Sequence, residues 1–275
     1  QPSTPINDRL ETTDARLAPS PPAPSPADWP TFRGNNQRTA RTLAPLPKAA
    51  QRLWQTHVRA TKGTRLTAPV VTNSLIYVGG SDGVVRAFSA LSGDPVWSTY
   101  TGGEIRIPPT IANGRALVGS GDGCVYAFDA ASGRLLWRFR AAPKERKIPV
   151  FGKLLSTWPA ASGILVEKGI AYVAAGLSNF DGTYVYALDI ETGKPVWCND
   201  TSGHLDPDAN CGVSVQGHLL LNDGKLYLAG GNAVSPAVYD IRDGKCLNDP
   251  APLADCQSTS PRGWELFLLG DRVIA

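Results

Sequence analysis

A 21-residue segment recurs in this chain at a step of forty residues. The first copy, Tyr77 to Trp97, reads Tyr-Val-Gly-Gly-Ser-Asp-Gly-Val-Val-Arg-Ala-Phe-Ser-Ala-Leu-Ser-Gly-Asp-Pro-Val-Trp. The second, Leu117 to Trp137, reads Leu-Val-Gly-Ser-Gly-Asp-Gly-Cys-Val-Tyr-Ala-Phe-Asp-Ala-Ala-Ser-Gly-Arg-Leu-Leu-Trp. A period of that size, built from short apolar runs and glycine turns, denotes the blades of an all-β propeller.

Each block reads as four short antiparallel strands. In the first blade these are Thr67–Val71, Leu75–Val78, Val84–Phe88 and Pro95–Tyr100, with turns at Gly79–Gly83 and Ser92-Gly93. β-Branched and aromatic enrichment between glycine-bounded turns supports strands. The second blade spans Pro109 to Phe139. In the third, Trp137 to Trp197 is 60 residues, so about 20 are inserted. They include Lys144–Pro159, expected as a loop over one face, and inserted loops on such scaffolds commonly carry binding surfaces. A fourth blade runs from Val213 to Cys246-Leu247, and a fifth unit begins at Trp264–Leu269 and Arg272–Ala275. Leu53–Val58 resembles an outermost strand without its own blade. The reading is about four blades plus the start of a fifth, part of a seven- or eight-bladed ring, with the natural protein expected to continue past Ala275.

The repeated residues read as structural. Asp129, Asp189 and Asp240 stand where the carboxylate can bond turn backbone, with Ser89 at that position in the first copy, and Gly93, Gly133, Gly193 and Gly244 where positive φ is needed. Trp54, Trp97, Trp137 and Trp197 are large enough to wedge between neighbouring blades. Ala87, Ala127 and Ala187 are expected to be small because the sheets converge near the axis. This Ala-x-Asp-x-x-Thr-Gly-x-x-x-Trp pattern resembles the pyrroloquinoline-quinone-like (PQQ-like) propeller repeat family over residues 53–275. Trp29-Pro-Thr-Phe-Arg-Gly34 is similar to the lead-in of exported bacterial members. Trp137–Pro143 with Ser156–Pro159 resembles a subgroup often compared with the outer-membrane assembly-factor propellers, and quinoprotein dehydrogenases are the enzymatic relatives.

The domain reading is a disordered Pro/Ala/Ser-rich linker at 1–27, a lead-in at 28–52 and the propeller at 53–275. The chain contains no Met, so a signal peptide has been removed or the chain is cropped. No apolar run reaches the roughly 18 residues a transmembrane helix needs. A net charge of +3, spread diffusely, gives no footprint for nucleic acid. Cys198–Cys211 and Cys246–Cys256 are hypothesised as local disulfides, since each pair flanks turn residues; five thiols in the unfolded, unreduced protein would refute them. Disulfides would fit a periplasmic, envelope or secreted location.

Chemistry-bearing motifs are sparse. Asp206-Pro-Asp208-Ala-Asn210 resembles the start of a calcium loop, but Cys211 replaces the glycine and Gly217 the glutamate that the geometry requires. A solvated loop is the plainer reading. Gly119–Gly123 sits between strands and reads as a hairpin turn, not a phosphate loop. Phe151, Trp158 and His204 lie in the two inserts, as partner anchors or as plugs over the core. The family's enzymes use PQQ with calcium, a catalytic Asp and usually two adjacent cysteines; no two cysteines here are adjacent. No cofactor is therefore expected. The expected function is a non-catalytic exported propeller that binds a protein or envelope component. The alternative is the N-terminal part of a PQQ- and calcium-dependent alcohol or sugar dehydrogenase.

Overall fold

The computed structural model describes residues 4–17, 25–45, 47–150, 152–203, 212–215, 217–230, 234–248 and 265–274. Its strands are β1 (Leu10–Thr12); β2 to β5 (Val70–Thr72, Leu75–Gly79, Val84–Ser89, Pro95–Tyr100); and β6 to β9 (Thr110–Ala112, Arg115–Gly119, Cys124–Asp129, Leu135–Arg140). A hairpin follows, β10 (Lys147–Val150) and β11 (Lys153–Ser156). Then come β12 to β15 (Leu165–Glu167, Ile170–Ala175, Tyr184–Asp189, Pro195–Asn199), β16 to β18 (Leu219–Asn222, Lys225–Leu228, Ala237–Asp240), β19 (Phe267–Leu269) and β20 (Arg272–Ile274).

Blades 1, 2 and 3 are the antiparallel meanders β2–β5, β6–β9 and β12–β15; β16–β18 form a three-stranded blade 4 and β19–β20 begin a fifth. The first strand of each blade lies innermost: β2 neighbours β6, β6 neighbours β12, and β12 neighbours β16. The first hairpins turn tightly because Asn73, Asn113, Lys168 and Asp223 adopt φ of 47–51°. That is the conformation a two-residue type I′ turn demands. Between blades the apolar faces fuse into continuous clusters, one joining Leu117, Phe139 and Tyr186 of blades 2 and 3, the next joining Tyr172, Leu219 and Tyr239 of blades 3 and 4.

Four indoles join successive units in the same way. Trp54, Trp97, Trp137 and Trp197 each donate Nε1–H to a carbonyl in the next unit's turn: Ala90, Ala130, Ile190 and Ile241, at 2.9–3.0 Å. Beneath each ring lies the turn glycine. A Cβ added at Gly93, Gly133, Gly193 or Gly244 would come within 2.4–2.7 Å of the indole, and each glycine has φ between +72° and +77°. Positive φ and indole contact thus demand glycine together. Leu53–Val58 forms no assigned strand, yet its Trp54 occupies the same station against blade 1.

The structure departs from three expectations. Residues 4–17 lie within the segment expected to be a disordered linker, but they form a 3-10 turn (Ile6–Arg9) and β1, which pairs with β9 as a fifth strand on blade 2. Lys144–Pro159 contains the β10–β11 hairpin in place of a plain loop. Ala87, Ala127 and Ala187 are not at the axis. They sit in the third strand, directly across from Trp97, Trp137 and Trp197, and a bulge follows each. A small side chain there leaves room for the indole opposite.

Candidate functional site

Asp129, buried at 1% exposure, accepts from the Ser132 amide and hydroxyl through Oδ1, both at 2.7 Å. Asp189 accepts from the Thr192 amide and hydroxyl at 2.8 and 2.7 Å. Burial pushes the Asp189 carboxyl up, but the Thr192 bonds outweigh it and the group lies below its ordinary value. Asp240 is held by the Arg242 guanidinium and amide, which pull its pKa down to about 2. Ser89 fills the position in blade 1 with its hydroxyl. These groups are committed to their own turns.

Trp158 is 4% exposed, donates to the Asp181 carbonyl at 2.6 Å and lies under the Arg146 guanidinium, 4.8 Å from the ring centroid. It is a plug over the core and offers no free face as a partner anchor. Phe151, His204, Asp206, Asp208 and Asn210 lie outside the described residues, as do Cys211 and Cys256 of the hypothesised disulfides. Cys124 is a buried thiol whose pKa burial raises to about 12. Among the described residues no three His, Cys, Asp or Glu side chains converge on a point that could hold a metal.

Two regions carry specific polar construction beyond the repeat. The first is the lead-in. Trp29 bridges Val71 of β2 with backbone bonds of 2.7 and 2.9 Å, and the Ile111 amide of β6 donates to Pro30. Thr31 and Thr110 share a hydroxyl bond of 2.9 Å, and Thr110 reaches the Ile164 carbonyl. Asn36 donates to the Val166 carbonyl of β12 and accepts from the Leu221 amide of β16; Gln37 accepts from the Leu268 amide of β19. Residues 29–37 therefore touch the innermost strand of all five units.

Arg38 locks this crossing. It is 1% exposed and donates to the carbonyls of Leu219, Phe32 and Asn35 and to the Thr31 hydroxyl. All four acceptors are neutral, so burial without a counter-charge lowers its pKa to about 9. Nearby, His218 Nε2 lies 2.7 Å from the Leu266 carbonyl oxygen and 3.1 Å from its amide nitrogen. Burial lowers its pKa to about 4.

The second region is the outer edge of blade 2. There β1 pairs Leu10, Glu11 and Thr12 with Phe139, Arg138 and Trp137. Both Glu11 oxygens sit on Arg138 Nη2, at 2.5 and 2.6 Å. Thr13 donates to the Leu135 carbonyl, Arg9 to the Tyr186 hydroxyl, and Arg140 to the Thr4 hydroxyl. Ile6, Leu10, Ala15 and Leu17 pack against the blade 2–3 core. Nothing in the polar, Pro-rich N-terminal sequence announces this arm.

Residues 46–158 match the family model described as outer membrane protein assembly factor BamB. No curated protein sequence matches the chain. Among solved structures, the chain is similar to the quinohemoprotein alcohol dehydrogenase of Pseudomonas putida HK5 (TM-score 0.62, 16% identity, 81% of this chain and 40% of that one). It is also similar to the quinohemoprotein alcohol dehydrogenase of Comamonas testosteroni (0.58, 19%, 80% and 40%) and to a europium-containing methanol dehydrogenase (0.56, 16%, 81% and 48%). At these identities the likeness is one of fold, and the chain spans less than half the length of these structures. The blades and the indole-on-glycine repeat define a β-propeller. The likeness to the family is carried by residues 46–158.

Proposed function

We propose that this propeller is a non-catalytic binding or scaffold module of the bacterial cell envelope, exported to the periplasm or beyond. The observation that carries the reading is the lead-in crossing. Residues 29–38 fill the region where the innermost strands meet, and a buried, neutral-liganded Arg38 fixes them there. The carboxylates that recur around the ring are tied into turns, so what remains available is outer edge and face, the surfaces proteins use to bind one another. The matched family model is named for an outer-membrane protein assembly factor, and that kind of role is carried over here as a proposal. No helix among the described residues is long and apolar enough to cross a membrane.

The fold likeness to alcohol and methanol dehydrogenases keeps a second reading in play, the N-terminal part of a PQQ- and calcium-dependent alcohol or sugar dehydrogenase. The test is direct. Full-length protein is incubated with PQQ and calcium and assayed for dye-linked alcohol oxidation. The scaffold reading expects no rate above protein-free cofactor. Quinone-dependent turnover would sink it.

A further inference from the structure

The fourth strand of each complete blade is an outer edge, and the three edges differ in sequence. β5 reads Pro95-Val-Trp-Ser-Thr-Tyr100 and β15 reads Pro195-Val-Trp-Cys-Asn199. Each opens on a proline, which removes a backbone donor, one of the ways sheet edges are blunted against pairing. β9 reads Leu135-Leu-Trp-Arg-Phe-Arg140. It keeps every amide and, from Trp137 on, alternates apolar with basic side chains. Among the described residues it is also the edge that bears an added strand. We infer that the outer edge of blade 2 is a strand-addition site for an extended, acidic segment of a partner protein, and that residues 4–17 occupy it in cis. This deepens the binding-module reading and rests on it.

The arm defines what the edge recognises. Strand addition draws affinity from main-chain bonds and specificity from alternate side chains. The ligand runs antiparallel to β9. It carries an apolar residue at the Leu10 position, where Leu10 Cδ1 reaches the seam between Trp137 and Gly193. A carboxylate follows at once, opposite Arg138, and a hydroxyl stands two residues later where Thr13 bonds the Leu135 carbonyl. Arg134 and Arg140 bond the arm at the Arg16 carbonyl and the Thr4 hydroxyl, and Arg138, Arg140 and Lys147 outnumber Asp122 and Glu145 in the adjoining groove, so an acidic strand complements it.

Between Leu17 and Trp29 the sequence is Ala-Pro-Ser-Pro-Pro-Ala-Pro-Ser-Pro-Ala-Asp, with no large apolar side chain to anchor it. A tether of that length holds the arm at an effective concentration on the order of 1 mM. A partner strand of equal intrinsic affinity, with a Kd of about 1 μM, is then weakened about 1000-fold by the arm. The cis strand covers the edge without sealing it.

The experiment uses the full chain and a fluorescein-labelled peptide of residues 4–17, followed by anisotropy. The arm is released by the double substitution Leu10→Asp, Glu11→Arg. The peptide is expected to bind this protein at least about 100-fold more tightly than wild type. The single variant Arg138→Glu changes the exposed Glu11 pair and a 6.0 Å contact with the Tyr126 ring but removes no core side chain, so it guards against misfolding of the double variant. It should bind a Glu11→Arg peptide at least about 10-fold better than the native peptide. Native-like near-ultraviolet dichroism with no binding in either arm of the test would overturn the proposal. Wild-type protein that dimerises by exchanging arms, seen by light scattering, would assign the edge to a second copy and overturn the partner assignment. Quinone-dependent turnover would remove the scaffold reading without changing peptide binding, so the two failures are distinguishable.

Discussion

Blades 1 and 2 carry the same repeat, yet their outer edges are in different states. Trp97 and Trp137 make the same bond to the next blade, 3.0 Å in both cases, over a glycine of nearly the same φ. Trp97 is nonetheless half-buried while Trp137 is 1% exposed. On β5, Val96 is 49% and Tyr100 72% exposed; on β9, Leu136 and Phe139 are buried. The repeat therefore determines how blades dock on each other. What lies outside the edge is decided by residues that do not repeat: Arg138, Phe139 and Arg140 on the strand, and Leu10 and Glu11 on the arm.

Substitutions can break or sharpen this contrast. The largest effect is expected at the indoles. Trp137→Ala should cost about 4 kcal/mol and Trp97→Ala about 2 kcal/mol in urea unfolding, because the same docking is lost but more surface is buried at Trp137. Equal losses would mean the arm adds no cover. The turn glycines come next and should not distinguish the blades. Gly133→Ala and Gly193→Ala should each cost about 3 kcal/mol, combining left-handed strain with an indole collision. Gly169→Ala, with φ of +79° and open space around it, should cost about 1 kcal/mol.

A residue outside the repeat gives a pH-dependent effect of similar size. Unfolded His218 titrates near 6.5 and folded His218 near 4. Between those values the unfolded chain binds more protons. Stability should therefore fall by up to about 3 kcal/mol as the pH drops through that window, and the loss should be absent in His218→Gln. A His218→Gln profile parallel to wild type would contradict the burial argument. The smallest effect is at the exposed pair. Glu11→Gln should change global stability by less than about 1 kcal/mol while still loosening the arm.

The repeat made most of the architecture legible. Short apolar runs, glycine turns and a tryptophan at fixed phase locate the blades because each unit must bury the same face against its neighbour. The sequence places the indoles between blades; the structure adds that each one stacks on the next unit's turn glycine, a pairing that spacing alone does not reveal. The Asn113-Gly114 and Asp223-Gly224 hairpin turns carry a strong type I′ signal; in the insert Gly152 alone marks the break between Lys147–Val150 and Lys153–Ser156, and Pro149 argues against a strand there. The arm is illegible for a physical reason. Leu10-Glu-Thr12 is too short and polar to form a strand by propensity, and β9 supplies the missing half of its hydrogen bonds. The lead-in is similar: Asn36, Gln37 and Arg38 look like a polar loop until five inner strands present backbone groups to them.

The central claim is that the arm is what covers the outer edge of blade 2. Hydrogen exchange resolved over 135–140 and 95–100 tests it, in wild type and in Leu10→Asp. The account predicts slow exchange in β9 and fast exchange in β5 of the wild type, with β9 rising to the rate of β5 once Leu10 is replaced. If β9 stays protected in Leu10→Asp, the arm is not what closes the edge, and the account is contradicted.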